Sequence, residues 1–284
     1  MMLKEVEIHE NIKLAVCDNP KKKETIIAIH GLTGNHKTFY HYRRLLEKDY
    51  RFISYDLRGR GNSSPADGQT SLFRHAEDLK AFIKKYEIEK PILMGYSMGA
   101  YICAQVASEI DVAALILLDG AGTTEERQRA LIVPSLSRLE KVYESEDDYV
   151  EQTKAIYDSL DVQWDEAVEE ITRYEVKKTK NGYRHKSEAT AMEKDFTSFY
   201  DFQPREIFQR VTCPILLVIA YGRLGQKDSL FTKETYNETI ETANSLTSIE
   251  VPANHYTLMF ERQPEVEMSI LALLENNKEV KRCI

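Results

Sequence analysis

The chain has 284 residues, 42% hydrophobic and 30% charged, with a formal net charge of -8 at pH 7. That balance supplies ample apolar material for a core, and the negative charge argues against a nucleic-acid partner. The opening stretch MMLKEVEIHENIKL lacks the apolar centre of a signal peptide, and the longest apolar runs, such as 113–118, are strand-length. No membrane span and a soluble, cytoplasmic protein are therefore expected.

Along the chain, 6–8 and 12–16 read as an opening hairpin, and 25–29 as a buried strand ending in His30-Gly31. Helical spacing covers 39–46, and a strand at 51–55 ends at Asp56. Residues 72–86 form an amphipathic helix, with Leu72, Ala76, Leu79 and Ile83 on one face. A strand at 91–95, a helix at 100–108 and a strand at 112–118 follow. Strands alternating with helices imply a mostly parallel sheet covered on both faces. The rhythm breaks from Thr123 to Arg210, where Glu, Lys, Arg and Tyr dominate. Helical stretches are expected there at 136–143, 149–160 and 165–174, with a turn at Asn181-Gly182. The run 144–148 reads as a solvated loop or a helix start. The strand pattern resumes at 214–219, then a helix near 232–243, a strand at 248–251 and a helix after Pro264. The division predicted is a sheet domain of 1–122 and 211–284 with a helical cap of 123–210.

Cys17, Cys103, Cys213 and Cys283 are widely spaced and form no CxxC pair, which suggests reduced, buried thiols. No HExxH motif is present, so no metal is assigned.

Three segments carry chemistry. Gly95-Tyr96-Ser97-Met98-Gly99 lies between a buried strand and a helix. Its glycines permit a sharp turn that lifts the Ser97 hydroxyl above the sheet edge, with a helix N-terminus behind it to favour developing negative charge. His30-Gly31-Leu32-Thr33-Gly34 follows an earlier strand. The backbone N–H groups of Leu32 and Met98 are the natural oxyanion donors, and His30, Gly31 and Tyr96 are placed at the substrate pocket. Tyr96 and Met98 either line that pocket or pack beneath it. His255 lies after the last strand, on a loop from which a general base reaches the serine. His36 and His41 are expected on a helix face near the pocket or in solvent, without a chemical role.

With these segments the sequence resembles the α/β-hydrolase superfamily, in its cap-bearing esterase, lactonase and carbon–carbon hydrolase branch. Asp56-Leu57-Arg58-Gly59-Arg60-Gly61-Asn62-Ser63 also matches that family's turn after the preceding strand. The resemblance implies an α/β fold with a mostly parallel eight-stranded sheet, flanked by helices and carrying an inserted helical cap. It implies an acyl-enzyme route without a cofactor: Ser97 attacks, His255 relays the proton, and water releases the acid. A serine at this position argues against dehalogenase or epoxide hydrolase chemistry. The family usually places its acid shortly after the strand 214–219, near Arg223, which cannot serve. Asp119, at the end of strand 112–118, is the first choice for the triad acid; Asp228, about five residues beyond Arg223, is the second.

The expected substrate is a small carboxylic ester or lactone. A carbon–carbon hydrolase or thioesterase would use the same residues, and a slow-turnover small-molecule receptor on this fold is a third reading. Of Trp164, Tyr174, Tyr183, Phe196, Phe199 and Tyr200, some should face the substrate, but a packing role is the better expectation for any one of them. Oligomeric state is left open.

Overall fold

The computed structural model describes residues 2–21 and 23–282. Among the described residues, eleven strands form two sheets. The large sheet uses β1 (Met2–His9), β2 (Ile12–Asp18), β3 (Thr25–Ile29), β4 (Arg51–Tyr55), β5 (Ile92–Tyr96) and β6 (Ala114–Leu118). After an insertion that holds β7 (Val142–Tyr143), β8 (Val176–Thr179) and β9 (Gly182–His185), the sheet closes with β10 (Ile215–Ala220) and β11 (Leu246–Val251). The order is β1-β2-β4-β3-β5-β6-β10-β11. The β1–β2 and β2–β4 pairs are antiparallel, and every other neighbour pair is parallel.

Period-two alternation explains why the central strands are apolar throughout. Successive side chains point to opposite faces, and both faces are covered. In β10, Ile215, Leu217 and Ile219 join one core with helices Leu72–Lys85 and Met98–Ala107. Leu216, Val218 and Ala220 join the other core, with Tyr42, Val266, Ile270 and Leu274 from helices Tyr40–Leu46 and Pro264–Arg282. Burying one such side chain stabilises by about 1.5–3 kcal/mol, and β10 places three in each core.

Cys17, Cys103 and Cys213 are buried, while Cys283 lies outside the described residues. Burial pushes the Cys213 thiol up to about 12, which keeps it protonated and unreactive. Among the described residues no helix is long and apolar enough to cross a membrane.

The segment 123–210 leaves the sheet after β6 and returns before β10. It is not purely helical. Helices Glu126–Ser135, Glu146–Asp158, Glu166–Tyr174 and Ala189–Thr197 accompany a three-stranded antiparallel sheet in the order β7-β9-β8. The expected helix at 136–143 is instead a 3-10 turn, Leu136–Glu140, leading into β7. These strands are two to four residues long, and β8 reads Val-Lys-Lys-Thr, so no apolar run announced them. The turn expected at Asn181-Gly182 joins β8 to β9; Gly182 has φ 128, and a Cβ there would meet the Tyr143 carbonyl oxygen at 2.3 Å. The acidic run at 144–148 is a helix start, with the Ser145 side chain accepting from the Asp148 amide.

Candidate active site

Three strand ends converge at the carboxyl edge of the large sheet. Ser97 follows β5 and caps helix Met98–Ala107 with φ 52 and ψ -120, a conformation that non-glycine residues rarely adopt. The surroundings hold it there. The Ser97 amide donates to the Leu118 carbonyl at 3.0 Å. A Cβ on Gly99 would lie 1.9 Å from the Ile29 carbonyl oxygen, so only glycine lets the helix approach β3 this closely. Asp119 follows β6, also at positive φ, and its amide donates to Val218 at 2.9 Å. His255 lies on the loop after β11. Asn254 shapes that loop: its Oδ1 accepts from the Tyr256 and Thr257 amides at 2.9 Å each.

The side chains meet in a line. Ser97 Oγ is 3.1 Å from His255 Nε2, and His255 Nδ1 is 2.7 Å from Asp119 Oδ2. The carboxylate accepts, so the proton sits on Nδ1 and Nε2 faces the hydroxyl. Asp119 is 0% exposed, His255 5% and Ser97 8%. The Ala220 amide at 3.1 Å and the Tyr236 hydroxyl at 3.0 Å donate to Asp119 Oδ1. Tyr236 went unnoticed in the sequence, where nothing distinguishes it from other tyrosines. Asp228, the second choice, lies exposed on its loop.

Tyr96 and Met98 pack beneath the site. The Tyr96 ring packs at a tilt against the His255 ring at 4.8 Å, and its hydroxyl donates to the His255 carbonyl at 2.9 Å. Met98 is wholly buried. Gly31 lies against the serine: a Cβ there would meet Ser97 Cβ at 3.2 Å.

His30 was expected to line the pocket, but its ring is wholly buried behind the loop. Nε2 accepts from the Leu57 amide at 3.0 Å, leaving Nδ1 to donate to the Gly31 carbonyl at 2.7 Å. Burial drives its pKa down from 6.5 to about 3, so the ring stays neutral. The consequence lies across the peptide plane. The Gly31 carbonyl and the Leu32 N–H share one trans peptide and point in opposite directions. By holding the carbonyl, His30 aims the amide.

Arg60 supports the same loop. Its Nε donates to the Leu32 carbonyl at 3.0 Å, and Nη2 lies 3.8 Å from Met98 Sδ. Its Nη1 is 2.6 Å from Asp195 of the insertion, and both side chains are 0% exposed. Burial alone would raise the Asp195 pKa, but the Arg60 charge, His75 and Thr70 hold it well below the usual carboxylate range. Arg60 and Asp195 are far apart in sequence, so spacing could not reveal the pair.

His36 is not in solvent. It is buried, with Nδ1 2.8 Å from Asp56 Oδ1, while Tyr174 of the insertion donates to Asp56 Oδ2 at 2.6 Å. His41 Nε2 lies 3.0 Å from the Phe260 carbonyl. Most of the insertion's aromatics serve packing. Phe199 stacks on Tyr101 at 4.6 Å, Phe196 packs on Phe199, Tyr183 joins the Tyr143–Tyr149 cluster, and Trp164 lies beside Tyr157. Near the site the insertion supplies Tyr157, whose ring is 5.9 Å from that of Tyr256, and the Leu160 carbonyl, which accepts from Asn254 Nδ2 at 2.7 Å. Neither residue was singled out from sequence. Two clefts, of about 580 and 430 Å³, include none of Ser97, His255 and Asp119 among their lining residues.

Comparison with known proteins gives a consistent picture. A sequence family described as alpha/beta hydrolase fold matches residues 24–262. A Bacillus subtilis protein named AB hydrolase superfamily protein YisY is 41% identical over 101 residues, which is 34% of this chain and 37% of that protein. The chain thus spans little more than a third of that relative's length. A Drosophila melanogaster protein named "Probable serine hydrolase" is 25% identical over 257 residues, covering 83% of this chain and 76% of that protein. Among solved structures, E-2-(acetamidomethylene)succinate hydrolase superposes with a TM-score of 0.84 at 20% identity, covering 96% of this chain and 99% of that one.

Proposed function

The chain belongs to the alpha/beta hydrolase fold family, and from that premise we propose that it cleaves a small carboxylic ester or lactone through an acyl-enzyme on Ser97. The observation that carries this reading is the line Ser97–His255–Asp119, at 3.1 and 2.7 Å. In this reading His255 Nε2 takes the Ser97 proton as Oγ attacks the carbonyl carbon. Asp119 holds the tautomer and stabilises the imidazolium that forms. The oxyanion is received by the Leu32 amide, aimed by His30, and by the Met98 amide, in the first helical turn where N–H groups have no intrahelical acceptor. His255 then gives its proton to the leaving oxygen. It next activates water to attack the acyl carbon, which frees the acid and restores Ser97. Nucleophile, base, acid and oxyanion donors all come from the chain, so the reaction calls for no cofactor. The segment 123–210 acts as a cap, a role supported by its contacts with Tyr256 and Asn254.

The test is a panel of chromogenic acyl esters of increasing chain length, with acyl lactones and thioesters, run on the native chain and on Ser97→Ala. Ester or lactone turnover should fall by about 10⁵–10⁶-fold in the variant. Turnover that survives the substitution would overturn the reading, and faster thioester cleavage would move the proposal to that class.

A further inference from the structure

We propose that Arg138, on the 3-10 turn Leu136–Glu140, anchors an anion over the nucleophile, and that the substrate therefore carries a carboxylate apart from its scissile carbonyl. The inference deepens the hydrolase reading and rests on Ser97 as nucleophile.

Other enclosed arginines have their charge met by the protein. Arg58 lies 2.7 Å from Asp67 and 2.5 Å from Asp78, Arg60 is 2.6 Å from Asp195, and Arg51 is 2.8 Å from Asp18. Arg138 is different. Among the described residues no carboxylate oxygen lies within 4 Å of its guanidinium. Its one side-chain hydrogen bond runs from Nη1 to the Tyr149 hydroxyl, at a long 3.4 Å. That hydroxyl donates in turn to Glu175, which also lies 3.8 Å from His185 Nε2. Nε and Nη2, the side of the guanidinium that can grip a carboxylate with two parallel bonds, have no protein acceptor among the described residues. Arg138 is only half-buried, so part of it remains accessible.

Its position directs it to the active site. Leu136 and Leu139, which flank it on the same turn, are buried and pack with Leu32, whose amide is the proposed oxyanion donor. On the other side, the Arg138 charge acts first on Tyr149 and Glu175 and then on Tyr157 and Tyr256. Tyr256 meets the His255 ring edge-on at 5.8 Å and the Tyr157 ring at 5.9 Å. Arg138 thus sits on a turn whose leucines pack with Leu32, next to the aromatic rings that lead through Tyr256 to His255. Glu175 reaches Arg138 only through the Tyr149 hydroxyl, and a substrate carboxylate would give the guanidinium fork a direct partner.

The experiment pairs p-nitrophenyl half-esters of succinate, glutarate and adipate with the neutral p-nitrophenyl butyrate and valerate. The native chain should favour the half-esters. Arg138→Gln should cut kcat/KM for them by about tenfold to a hundredfold, the range of a lost charged hydrogen bond, mainly through KM. The neutral esters should change far less, and Arg138→Lys, which keeps charge but loses the fork, should recover part of the preference. Calorimetry with glutarate and glutaramide reads binding without turnover, and melting curves establish that each variant is folded. Equal losses on charged and neutral esters, or equal glutarate binding with and without Arg138, would overturn the proposal. If no ester is turned over but glutarate binds through Arg138, the hydrolase reading fails and the anion anchor stands.

Discussion

The sheet and the seam that joins it to the insertion differ in how much of their hold is directional. The sheet is built from apolar strands whose alternate residues fill two cores, joined by backbone ladders. The insertion also joins one of those cores, through Phe196, Phe199, Phe202 and Phe208 around Tyr101, but buried polar pairs add to this contact. Asp195 meets Arg60, Tyr174 meets Asp56, the Ser198 hydroxyl accepts from the Leu72 amide, and Asn254 reaches the Leu160 carbonyl. Apolar burial is non-directional and forgiving of shape. A buried charged pair stabilises little in net terms, yet removing one partner is severe because the other is left uncompensated. The candidate site lies where these two regimes meet: Ser97, Asp119 and His255 hang from the sheet, and the Leu32 loop is braced from the insertion.

The largest effect expected belongs to the sheet side. Asp119→Asn should lower kcat by about 10⁴-fold with little change in melting temperature, because the histidine loses its correct tautomer. Steady-state kinetics with an ester found on the panel measures this, and a loss below tenfold would remove Asp119 from the relay. Next, Asp195→Ala should destabilise by about 3–5 kcal/mol by stranding Arg60. Urea melts followed by activity should show it, and a nearly unchanged midpoint would show that water rescues the guanidinium and that the polar seam is softer than its geometry suggests.

His30 sharpens the contrast through pH. Its folded pKa, about 3, lies below the ordinary 6.5, so the native ring resists a proton that the unfolded chain accepts. Its contribution is complete above pH 6.5 and is lost as the pH falls toward 3, with a slope of at most about 1.4 kcal/mol per pH unit. His30→Gln should flatten acid unfolding across that window, and identical slopes in both proteins would refute the assignment. The smallest effect is expected at Asp228: its exposed carboxylate is far from the relay's requirements, and Asp228→Asn should leave kcat within about twofold. A large loss there would reverse the choice of acid.

How much was legible in the sequence follows the same division. Apolar runs of strand length disclosed the sheet, and the serine between two glycines and the last-strand histidine disclosed two of the residues that meet in the structure. Asp119 was legible as a strand-end acid, although the loop near Arg223 offered a rival, Asp228, and only three-dimensional placement brings Asp119 to His255 and leaves Asp228 exposed. The short strands of the insertion were not legible, because Val-Lys-Lys-Thr buries too little to leave a pattern. Nor was the true place of His30: adjacency to a glycine says that a histidine is near a loop, not whether it faces the cavity or the protein. Arg60–Asp195 and Arg138 depend on contacts between distant segments, which periodicity does not encode.

The grip of Arg60 on both Leu32 and Asp195 bears on how freely this fold can exchange parts. A chimera that kept the sheet but received another protein's insertion would have to bring an acid to the place of Asp195, or else replace Arg60 with a neutral side chain and find a new brace for the Leu32 carbonyl. Module swapping in this chain is therefore constrained by this buried charge, and replacement insertions that bring an acid to that place should be the ones it accepts.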